Sequence, residues 1–322
     1  MKKRNITTNN GETSIVSVDI GNITSIAKSA NEVITFESRC IDATEVHEFV
    51  NPEIFEIDGK SYVMSRGTFE NNLVKHQKAN YIALLYYAIA KVTDSSNINL
   101  TLGVPAGQFR KERENIRKLI EENNCKTIKL NGVPRVISIN NIFIVPEGYG
   151  VKIEVFNTSE NGTQVLQKGL RTLIIDIGGG TIDIAEFDEN DKFSNGKSIT
   201  LGLLDLYKDV RDVLVNDYYF NVDLADVRKY LEGTLVIKND NFEDETSYID
   251  PAIEKFYNRF INELRGLYPR LAQYNLILCG GGADYVEEYF KIEYPHSLVV
   301  TDITANARGF RKAGIAKWRQ SE

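Results

Sequence analysis

Aspartate, glycine and threonine residues follow one another closely near the middle of the chain. The segment Leu173–Phe187, LIIDIGGGTIDIAEF, reads as an apolar strand that ends in Asp176, a glycine turn, and a second strand that carries Asp183 near its start. Glycine lets the backbone approach an anion closely, and successive N–H groups at such a turn can bind a phosphate. The simpler alternative is an ordinary hairpin with a flexible tip, but three glycines followed by a threonine and an aspartate exceed what a tight turn needs.

A second, shorter copy of this pattern lies near the N-terminus. There the chain reads VDIGNITSIA from Val18 to Ala27, and Asp19–Gly21 matches Asp176–Gly178 at an offset of 176 − 19 = 157 residues. This period is about half the chain and too long for a solenoid repeat. The duplication therefore predicts two similar half-molecules that face each other, each giving one phosphate-binding hairpin to a shared cleft.

Carboxylates flank both turns. Asp19 and Asp176 end their strands, and Asp183 follows on the far strand of its own hairpin. Three carboxylates would repel a triphosphate unless a divalent cation lay between them, so the pattern implies Mg²⁺ held mostly through water by Asp19, Asp176 and Asp183. Taken singly, each aspartate could equally be a solvated turn residue.

A third glycine cluster lies between a strand and a helix. Gly280, Gly281 and Gly282 follow the apolar run NLILC and precede a helical pattern, which places backbone N–H groups and a helix N-terminus at a ligand. The sequence GGGADY is not GxGxxG, so a dinucleotide-binding Rossmann site is not indicated. Tight packing of the helix on the strand is the alternative.

Composition limits the classes of function. A chain of 322 residues is long enough for two domains with substantial cores. Its net charge of −7, without a dense block of basic residues, argues against direct binding of nucleic acid. No apolar run approaches the ~20 residues that a membrane helix needs, so no membrane association is expected. Cysteines at 40, 125 and 279 are isolated, which favours a cytoplasmic location and argues against a metal cluster.

Strands alternate with helices along both halves of the chain. Helical patterns are predicted over residues 79–92, 108–123, 203–218, 223–231, 250–267, 283–290 and 306–318. Residues 127–130 and 135–140 read as a hairpin around Asn131-Gly132, and a separate strand at 141–145 leads into Pro146-Glu147-Gly148.

Four motifs together resemble those of the actin-like ATPases, the superfamily of actin, sugar kinases and heat-shock chaperone ATPase domains. They are VDIGNIT, VPEG at Val145–Gly148, IIDIGGGTID, and ILCGGGADYV at Ile277–Val286. Each motif alone is weak, but the ordered set spans almost the whole chain. Within the superfamily the chain is most similar to the ParM-type plasmid-segregation actins of bacteria.

The resemblance implies an α/β fold: the actin-like, ribonuclease H-like duplicated two-domain fold with a nucleotide cleft between the halves. Residues 1–160 would form the first domain, with a C-terminal helix at 305–322 packing back on it, and residues 161–304 the second. The resemblance also implies a short helix from Tyr149, although the alternation in VKIEVF at Val151–Phe156 suits a strand equally well.

The resemblance also assigns site residues. The nucleotide-binding residues would be Asp19, Gly21, Asn22, Gly178, Gly179, Gly180, Thr181, Gly280, Gly281, Gly282, Asn306 and Gly309. Asn306 and Gly309 match the position where the family closes over the base. Glu147 matches a glutamate that orients the attacking water, and it would be catalytic together with Asp176. A turn glutamate after proline is the alternative for Glu147.

One position departs from the family pattern. The first hairpin usually carries a lysine seven residues after its first aspartate, and that lysine reaches the phosphates. Here the position is Ile26, and Lys28 lies two residues on, on the same face of the strand. Lys28 could replace the lysine from a displaced position, or Mg²⁺ and the backbone alone could neutralise the phosphates.

The function implied by the resemblance is an ATPase that uses ATP or GTP with Mg²⁺ and polymerises into filaments that segregate a plasmid. Its partners would be further copies of itself and a small DNA-binding adaptor on a centromere-like site. Two alternatives remain open at this stage. One is a small-molecule kinase of the same superfold, and the other is a bacterial or archaeal cytoskeletal actin unconnected with plasmids.

Overall fold

Two β-sheets organise the chain, and each carries one of the glycine hairpins. The computed structural model describes residues 13–46, 52–70, 72–158, 166–217, 219–236 and 249–319. These residues divide into two units, one of residues 13–158 with 304–319, the other of residues 166–303. Within the described ranges, no helix is both long and apolar enough to span a bilayer.

The secondary structure is numbered in chain order. The strands are β1 Thr13–Ile20, β2 Thr24–Lys28, β3 Val33–Glu37, β4 Cys40–Asp42, β5 Ile54–Ile57, β6 Lys60–Met64, β7 Asn97–Val104, β8 Cys125–Leu130, β9 Val133–Pro146, β10 Thr172–Ile177, β11 Ile182–Phe187, β12 Phe193–Ile199, β13 Asn275–Cys279 and β14 Leu298–Val300. The helices are α1 Tyr81–Val92, α2 Phe109–Glu121, α3 Tyr149–Thr158, α4 Leu203–Asn216, α5 Leu224–Leu231, α6 Ile249–Leu267, α7 Ala283–Glu293 and α8 Ala305–Arg319.

The same five-strand arrangement occurs in both units. In the first unit it is β3-β2-β1-β7-β9, and in the second it is β12-β11-β10-β13-β14. In each, three strands form an antiparallel meander, and the strand that starts the meander also pairs in parallel with the next. The first sheet continues through β8, β5, β6 and β4. This repeated arrangement confirms that the fold is of the α/β class and duplicated, as predicted.

Burial explains why residues 173–175 of β10 form a continuous apolar run. Every residue of β11 is buried, as are all but one of β10. Strands covered on both faces lose the alternation of polar and apolar residues. Helix α6 contributes to the second unit's core through Phe260, whose ring stacks on Phe290 of α7 at 6.1 Å between centroids.

The chain around the VPEG motif differs from the prediction in one respect. The predicted second hairpin strand and the separate strand after it form one strand, β9, of 14 residues. Its first part pairs antiparallel with β8 and its later part pairs parallel with β7. The prediction of two strands was wrong because the chain changes partner there without leaving the extended conformation. The segment after it, where helix and strand were both open, is helix α3.

Helices α3 and α8 touch through their backbones. A Cβ added at Gly309 of α8 would lie 1.9 Å from the carbonyl oxygen of Gly150 in α3. A Cβ added at Gly150 would lie 2.2 Å from the carbonyl oxygen of Asn306. Real Cβ contacts are never this short, so both positions require glycine for the helices to cross at this distance.

Asn306 ties the start of α3 to α8. Its side-chain oxygen accepts hydrogen bonds from the N–H groups of Gly148 (3.1 Å) and Val151 (3.3 Å). Gly148 has a φ of +85°, a conformation that favours glycine, and its carbonyl accepts the first helical hydrogen bond, from Lys152. Asn306 therefore satisfies donors at the N-terminus of α3 that the helix itself cannot pair. The contact also fixes Glu147, the residue before Gly148.

Gly309→Ala is expected to lower the free energy of unfolding by about 1–3 kcal/mol, because the added methyl overlaps the backbone of α3. Gly266→Ala in α6 is a matched control, since nothing lies within 4 Å of a Cβ at that position. The control should be neutral or stabilising by about 0.5–1 kcal/mol, because alanine favours a helix more than glycine does. Urea unfolding of both variants measures the difference; equal stability would contradict the backbone contact.

Asn306→Ala should cost about 1–3 kcal/mol, because two N–H donors at the start of α3 lose their acceptor. Asn306→Asp keeps an acceptor oxygen and places a negative charge at a helix N-terminus, so its loss should be smaller. Chemical unfolding of the two variants side by side tests this order. A larger loss for the aspartate variant would show that the side chain does not act as a cap.

Candidate functional site

The two glycine hairpins close in the same way. The N–H of Gly21 donates to the carbonyl of Thr24 at 3.1 Å, and the N–H of Gly178 donates to the carbonyl of Thr181 at 2.9 Å. A Cβ would lie 2.6 Å from the acceptor oxygen at Gly21 and 3.0 Å from it at Gly178. Glycine is therefore needed at Gly21 for this backbone geometry, and at Gly178 a side chain would require the acceptor to shift by a few tenths of an ångström. The sequence duplication is thus also a duplication of turn geometry.

The second turn is anchored by helix α4. The N–H of Leu203 donates to the carbonyl of Gly178 at 3.0 Å, and that of Leu204 donates to the carbonyl of Gly179 at 2.8 Å. In a trans peptide the carbonyl and the following N–H point in opposite directions. The N–H groups of Gly179 and Gly180 are therefore directed away from α4. Consecutive N–H groups with a common direction form the kind of concavity that binds anions.

The first turn is anchored by a lysine. The carbonyl of Gly21 accepts a hydrogen bond from Nζ of Lys78 at 3.1 Å. Gly21 corresponds to Gly178 in the duplication, so an ammonium group here takes the place of the helix N–H of Leu203. Asn22, another predicted nucleotide-binding residue, lies in the same turn between β1 and β2.

Two predicted carboxylates of the second unit lie directly opposite each other. Asp176 of β10 is paired with Asp183 of β11, so both side chains lie on one face of the sheet. Asp183 accepts hydrogen bonds from the hydroxyls of Thr181 (2.8 Å) and Ser198 (2.5 Å). The predicted residues Asp176, Thr181 and Asp183 are thereby brought together. Ser198 is an additional residue of this cluster that the sequence pattern did not indicate.

The third glycine cluster packs against the end of β10. Gly280 has a φ of +89°, and a Cβ there would lie 2.2 Å from Oδ1 of Asp176. Gly282 donates its N–H to the carbonyl of Ile177 at 3.0 Å, and a Cβ there would meet the side chain of Ile177. Gly281 lies between them and leads into α7. The strand–helix joint is therefore adjacent to the second hairpin, and tight packing is one reason for its glycines.

The acidic residues suit a cation that keeps its water shell. Among the described residues, no three acidic, histidine or cysteine side chains converge closely enough to bind a metal ion directly. Both carboxylate oxygens of Asp183 already accept hydroxyl hydrogen bonds. Mg²⁺ usually retains several waters and needs only one or two carboxylates, so this set of donors fits a hydrated Mg²⁺.

Lys75 joins the carboxylates of the first unit. Its ammonium lies 3.4 Å from Oδ1 of Asp19 and 3.3 Å from the carbonyl oxygen of Gly103, and it forms an ion pair with Glu147. Lys75 is only 5% exposed. Burial by itself would lower the pKa of Lys75, but the charges of Glu147 and Asp19 outweigh burial and raise it. Lys75 therefore stays charged and holds two residues, far apart in sequence, at one point.

A histidine–glutamate pair places Lys75. Residues Lys75–Gln77 form a short 3-10 turn before α1. His76 contacts Oε2 of Glu112 in α2 through Nδ1 at 2.6 Å, and Asn115 donates to Oε1 of the same carboxylate at 3.1 Å. Glu112 is nearly completely buried, so this contact fixes the turn against α2.

Lys28 lies elsewhere on the hairpin. It is opposite Ser17 in the β1–β2 pairing, whereas Ile26 is opposite Asp19. Burial and the nearby charges of Arg311 and Arg308 in α8 lower the pKa of Lys28. In the described part of the chain, the lysines that contact the Asp19–Gly21 segment are Lys75 and Lys78. The sequence pattern did not indicate that Lys75 and Lys78 contact this hairpin. What it does show is that both lysines lie shortly before α1, the most apolar helix.

The comparisons with known proteins agree with this architecture. Residues 17–150 match the family model described as "Actin like proteins N terminal domain". A search of curated proteins finds no match.

Solved structures match nearly the whole chain. An archaeal actin homologue superposes with a TM-score of 0.80 at 20% identity, covering 94% of this chain and 99% of its own. Its complex with ADP superposes with a TM-score of 0.77 at 19% identity, covering 94% and 99%. The subunit of a 15-stranded ParM filament from Clostridium botulinum has a TM-score of 0.77 at 17% identity, covering 95% and 99%. Residues 17–150 are therefore similar to the N-terminal domain of the actin-like proteins, and the chain as a whole has the fold of these solved structures.

Proposed function

We propose that this chain is an actin-like ATPase whose nucleotide-dependent polymerisation segregates a plasmid. The observation that carries the proposal is the pair of hairpins with equivalent turn hydrogen bonds, Gly21 to Thr24 and Gly178 to Thr181, in two units of the same topology. Each turn follows a strand whose penultimate residue is an aspartate, Asp19 in β1 and Asp176 in β10. A glycine turn of this kind binds phosphate through its backbone, and the aspartates supply the charge that attracts a divalent cation.

In this proposal the hairpins and the strand–helix joint bind the nucleotide. The N–H groups of Gly179 and Gly180 donate to phosphate oxygens, and Gly280–Gly282 approach the α-phosphate and adenosine. Asp19, Asp176 and Asp183 hold a hydrated Mg²⁺, which neutralises the phosphates when it is bound. The ADP complex of the archaeal actin homologue supports a nucleotide ligand for this fold.

Glu147 is the residue we propose to orient the attacking water. Lys75 forms an ion pair with Glu147, and an ionised carboxylate accepts stronger hydrogen bonds from water than a neutral acid does. Lys75 also offsets the repulsion between Glu147 and Asp19, since its ammonium contacts both. Lys75 is thus a positioning residue, and Asn306 supports the same segment from the other side through Gly148.

Filament structures among the similar proteins support the proposed polymer. A ParM filament and a filament named Alp12 are among the similar structures, the second with a TM-score of 0.66 at 21% identity. A head-to-tail contact between copies gives an open filament rather than a closed dimer. With a net charge of −7, the chain offers few contacts to DNA phosphates, so a small DNA-binding adaptor would connect the filament to the plasmid.

A cytoskeletal actin unconnected with plasmids is the second candidate. The similarity to an archaeal actin homologue, with a TM-score of 0.80, favours it as a specific alternative. Both candidates share nucleotide-dependent assembly, and they differ in whether an adaptor and a centromere-like DNA site bind the filament. Co-sedimentation of filaments with the protein encoded by the neighbouring gene, and with the DNA beside that gene, distinguishes the two candidate functions.

Polymerisation should require Mg²⁺ and ATP and should show a critical concentration, because each contact selects a subunit that has bound nucleotide. Light scattering at increasing protein concentration, with Mg²⁺-ATP, Mg²⁺-ADP, or ATP with a chelator, measures this, and electron microscopy identifies the polymer. Light scattering should rise most strongly with Mg²⁺-ATP, and less or not at all with Mg²⁺-ADP or with ATP and a chelator. A chain that stays monomeric at high concentration, yet transfers phosphate to an added small molecule, would be a kinase.

Glu147→Ala should slow phosphate release by about 10²–10⁴-fold and leave ATP binding nearly unchanged, because the phosphates are neutralised elsewhere. Filaments should still form and should persist longer, since the ADP state is reached late. Phosphate release and light scattering on the same sample check both statements.

Glu53→Ala is the matched control for this prediction. Glu53 is also a partly buried carboxylate of the first unit, paired with Lys91 at 2.8 Å and with the hydroxyl of Tyr87. Its loss should cost stability without changing the rate of phosphate release. Wild-type phosphate release by Glu147→Ala would remove Glu147 from the catalytic role.

A further inference from the structure

Lys78 is a buried cation that, among the described residues, has a single hydrogen-bond acceptor. The side chain is only 6% exposed, and its ammonium donates to the carbonyl of Gly21 at 3.1 Å. An ammonium carries three N–H donors. In the part of the chain that the structure describes, no carboxylate lies within ion-pair distance of it. Among the described residues, two N–H donors of the Lys78 ammonium therefore have no acceptor and are available to a bound ligand.

The surroundings of Lys78 disfavour its charge. Burial is the largest cause that lowers its pKa, to about 8, and the positive charge of Lys75 adds to burial. Glu70, Glu147 and Asp19 act in the opposite direction but offset only part of the effect. Lys75 is different because its three acceptors use its donors fully. A buried charge with so little compensation is costly unless a further anion binds to it.

The location of Lys78 indicates which anion. Its acceptor Gly21 is the first turn residue of the first hairpin, the counterpart of Gly178. Lys78 also lies three residues before α1, whose N-terminal end carries a partial positive charge. A cation near the N-terminus of a helix is unfavourable by itself. An anion between Lys78 and the N-terminus of α1 would be attracted by both positive charges. A phosphate group has the charge and the acceptor oxygens for this position.

We propose that Lys78 binds a phosphate group of the nucleotide, supplying from the segment before α1 the cation that Ile26 does not supply from the hairpin. This inference rests on the proposed function, since it names a ligand of the same site. Lys75 is the weaker candidate for this role, because its donors already hold Asp19, Gly103 and Glu147 in place. Lys28 is also weaker, because it lies beside Arg308 and Arg311.

A purely structural role for Lys78 predicts a different behaviour of variants. If Lys78 served only to anchor the turn through Gly21, Lys78→Gln could keep that hydrogen bond and would behave as wild type. Lys78→Met, which loses the bond, would then lower the melting temperature. If Lys78 binds phosphate, both variants lose affinity for nucleotide, and removing the buried charge leaves the melting temperature without nucleotide unchanged or higher.

The deciding measurement is titration calorimetry of wild type, Lys78→Gln, Lys78→Met and the control Lys28→Gln with Mg²⁺-ATP and Mg²⁺-ADP. Both Lys78 variants should bind about 10- to 100-fold more weakly than wild type, the loss expected for one hydrogen bond to a charged group. Lys28→Gln should bind as wild type does. Wild-type affinity of Lys78→Gln would overturn the inference, and so would equal losses in Lys78→Gln and Lys28→Gln.

Thermal unfolding separates this inference from the proposed function. Wild type should melt at a higher temperature with Mg²⁺-ATP than without it, and the increase should be smaller in both Lys78 variants. A wild type that neither binds nor is stabilised by nucleotide would refute the proposed function and the inference together. A wild type that binds ATP, with Lys78 variants that bind equally well, would refute the inference alone. A lower melting temperature of Lys78→Met without nucleotide, with unchanged affinity of Lys78→Gln, would assign Lys78 a structural role.

Discussion

The hydrogen bond that closes each hairpin turn is the constraint on which the rest of the site depends. It joins the N–H of Gly21 to Thr24 and the N–H of Gly178 to Thr181, and the acceptor oxygen lies so close that a Cβ would meet it at 2.6 Å at Gly21 and at 3.0 Å at Gly178. Each closed turn begins two residues after an aspartate, which is the penultimate residue of its strand. A carboxylate and a row of N–H groups thus lie next to each other, although their electrostatic preferences are opposite. In the proposed function, a hydrated cation bound to a phosphate satisfies both.

The two halves of the duplication hold equivalent turns by different means. In the second unit the N-terminus of α4 donates N–H groups to the turn carbonyls, so a helix end that needs acceptors finds them there. In the first unit the ammonium of Lys78 donates to Gly21. A neutral N–H leaves the second turn without added charge, whereas a lysine brings a full charge into a buried place. The duplication has therefore kept the geometry of the turn and changed its electrostatics.

Glu147 depends on contacts from two directions. Lys75 holds its carboxylate beside Asp19, and the turn that carries Lys75 is fixed by His76 to the buried Glu112 of α2. On the other side, Asn306 caps α3 through Gly148, and α8 approaches α3 closely because Gly309 has no side chain. A change in any of these supports would move the carboxylate that we propose to orient the attacking water, a role that requires a defined position. Part of the first unit thus serves to hold one side chain.

The sequence by itself determined the duplicated fold, the two hairpins and the order of the motifs, because glycine turns and apolar strands depend on local residues and on a repeat visible in the chain. Tertiary structure alone decided that β9 is one strand, since its two halves have different partners, and that VKIEVF is helical, since α8 caps and packs on that segment. It also decided which lysines reach the first hairpin. Lys75 and Lys78 are 56 and 57 residues from their partners Asp19 and Gly21, so no local spacing relates them. Only the packing of the segment before α1 brings these charges together, because burial and long-range electrostatics depend on the folded arrangement and not on neighbouring residues.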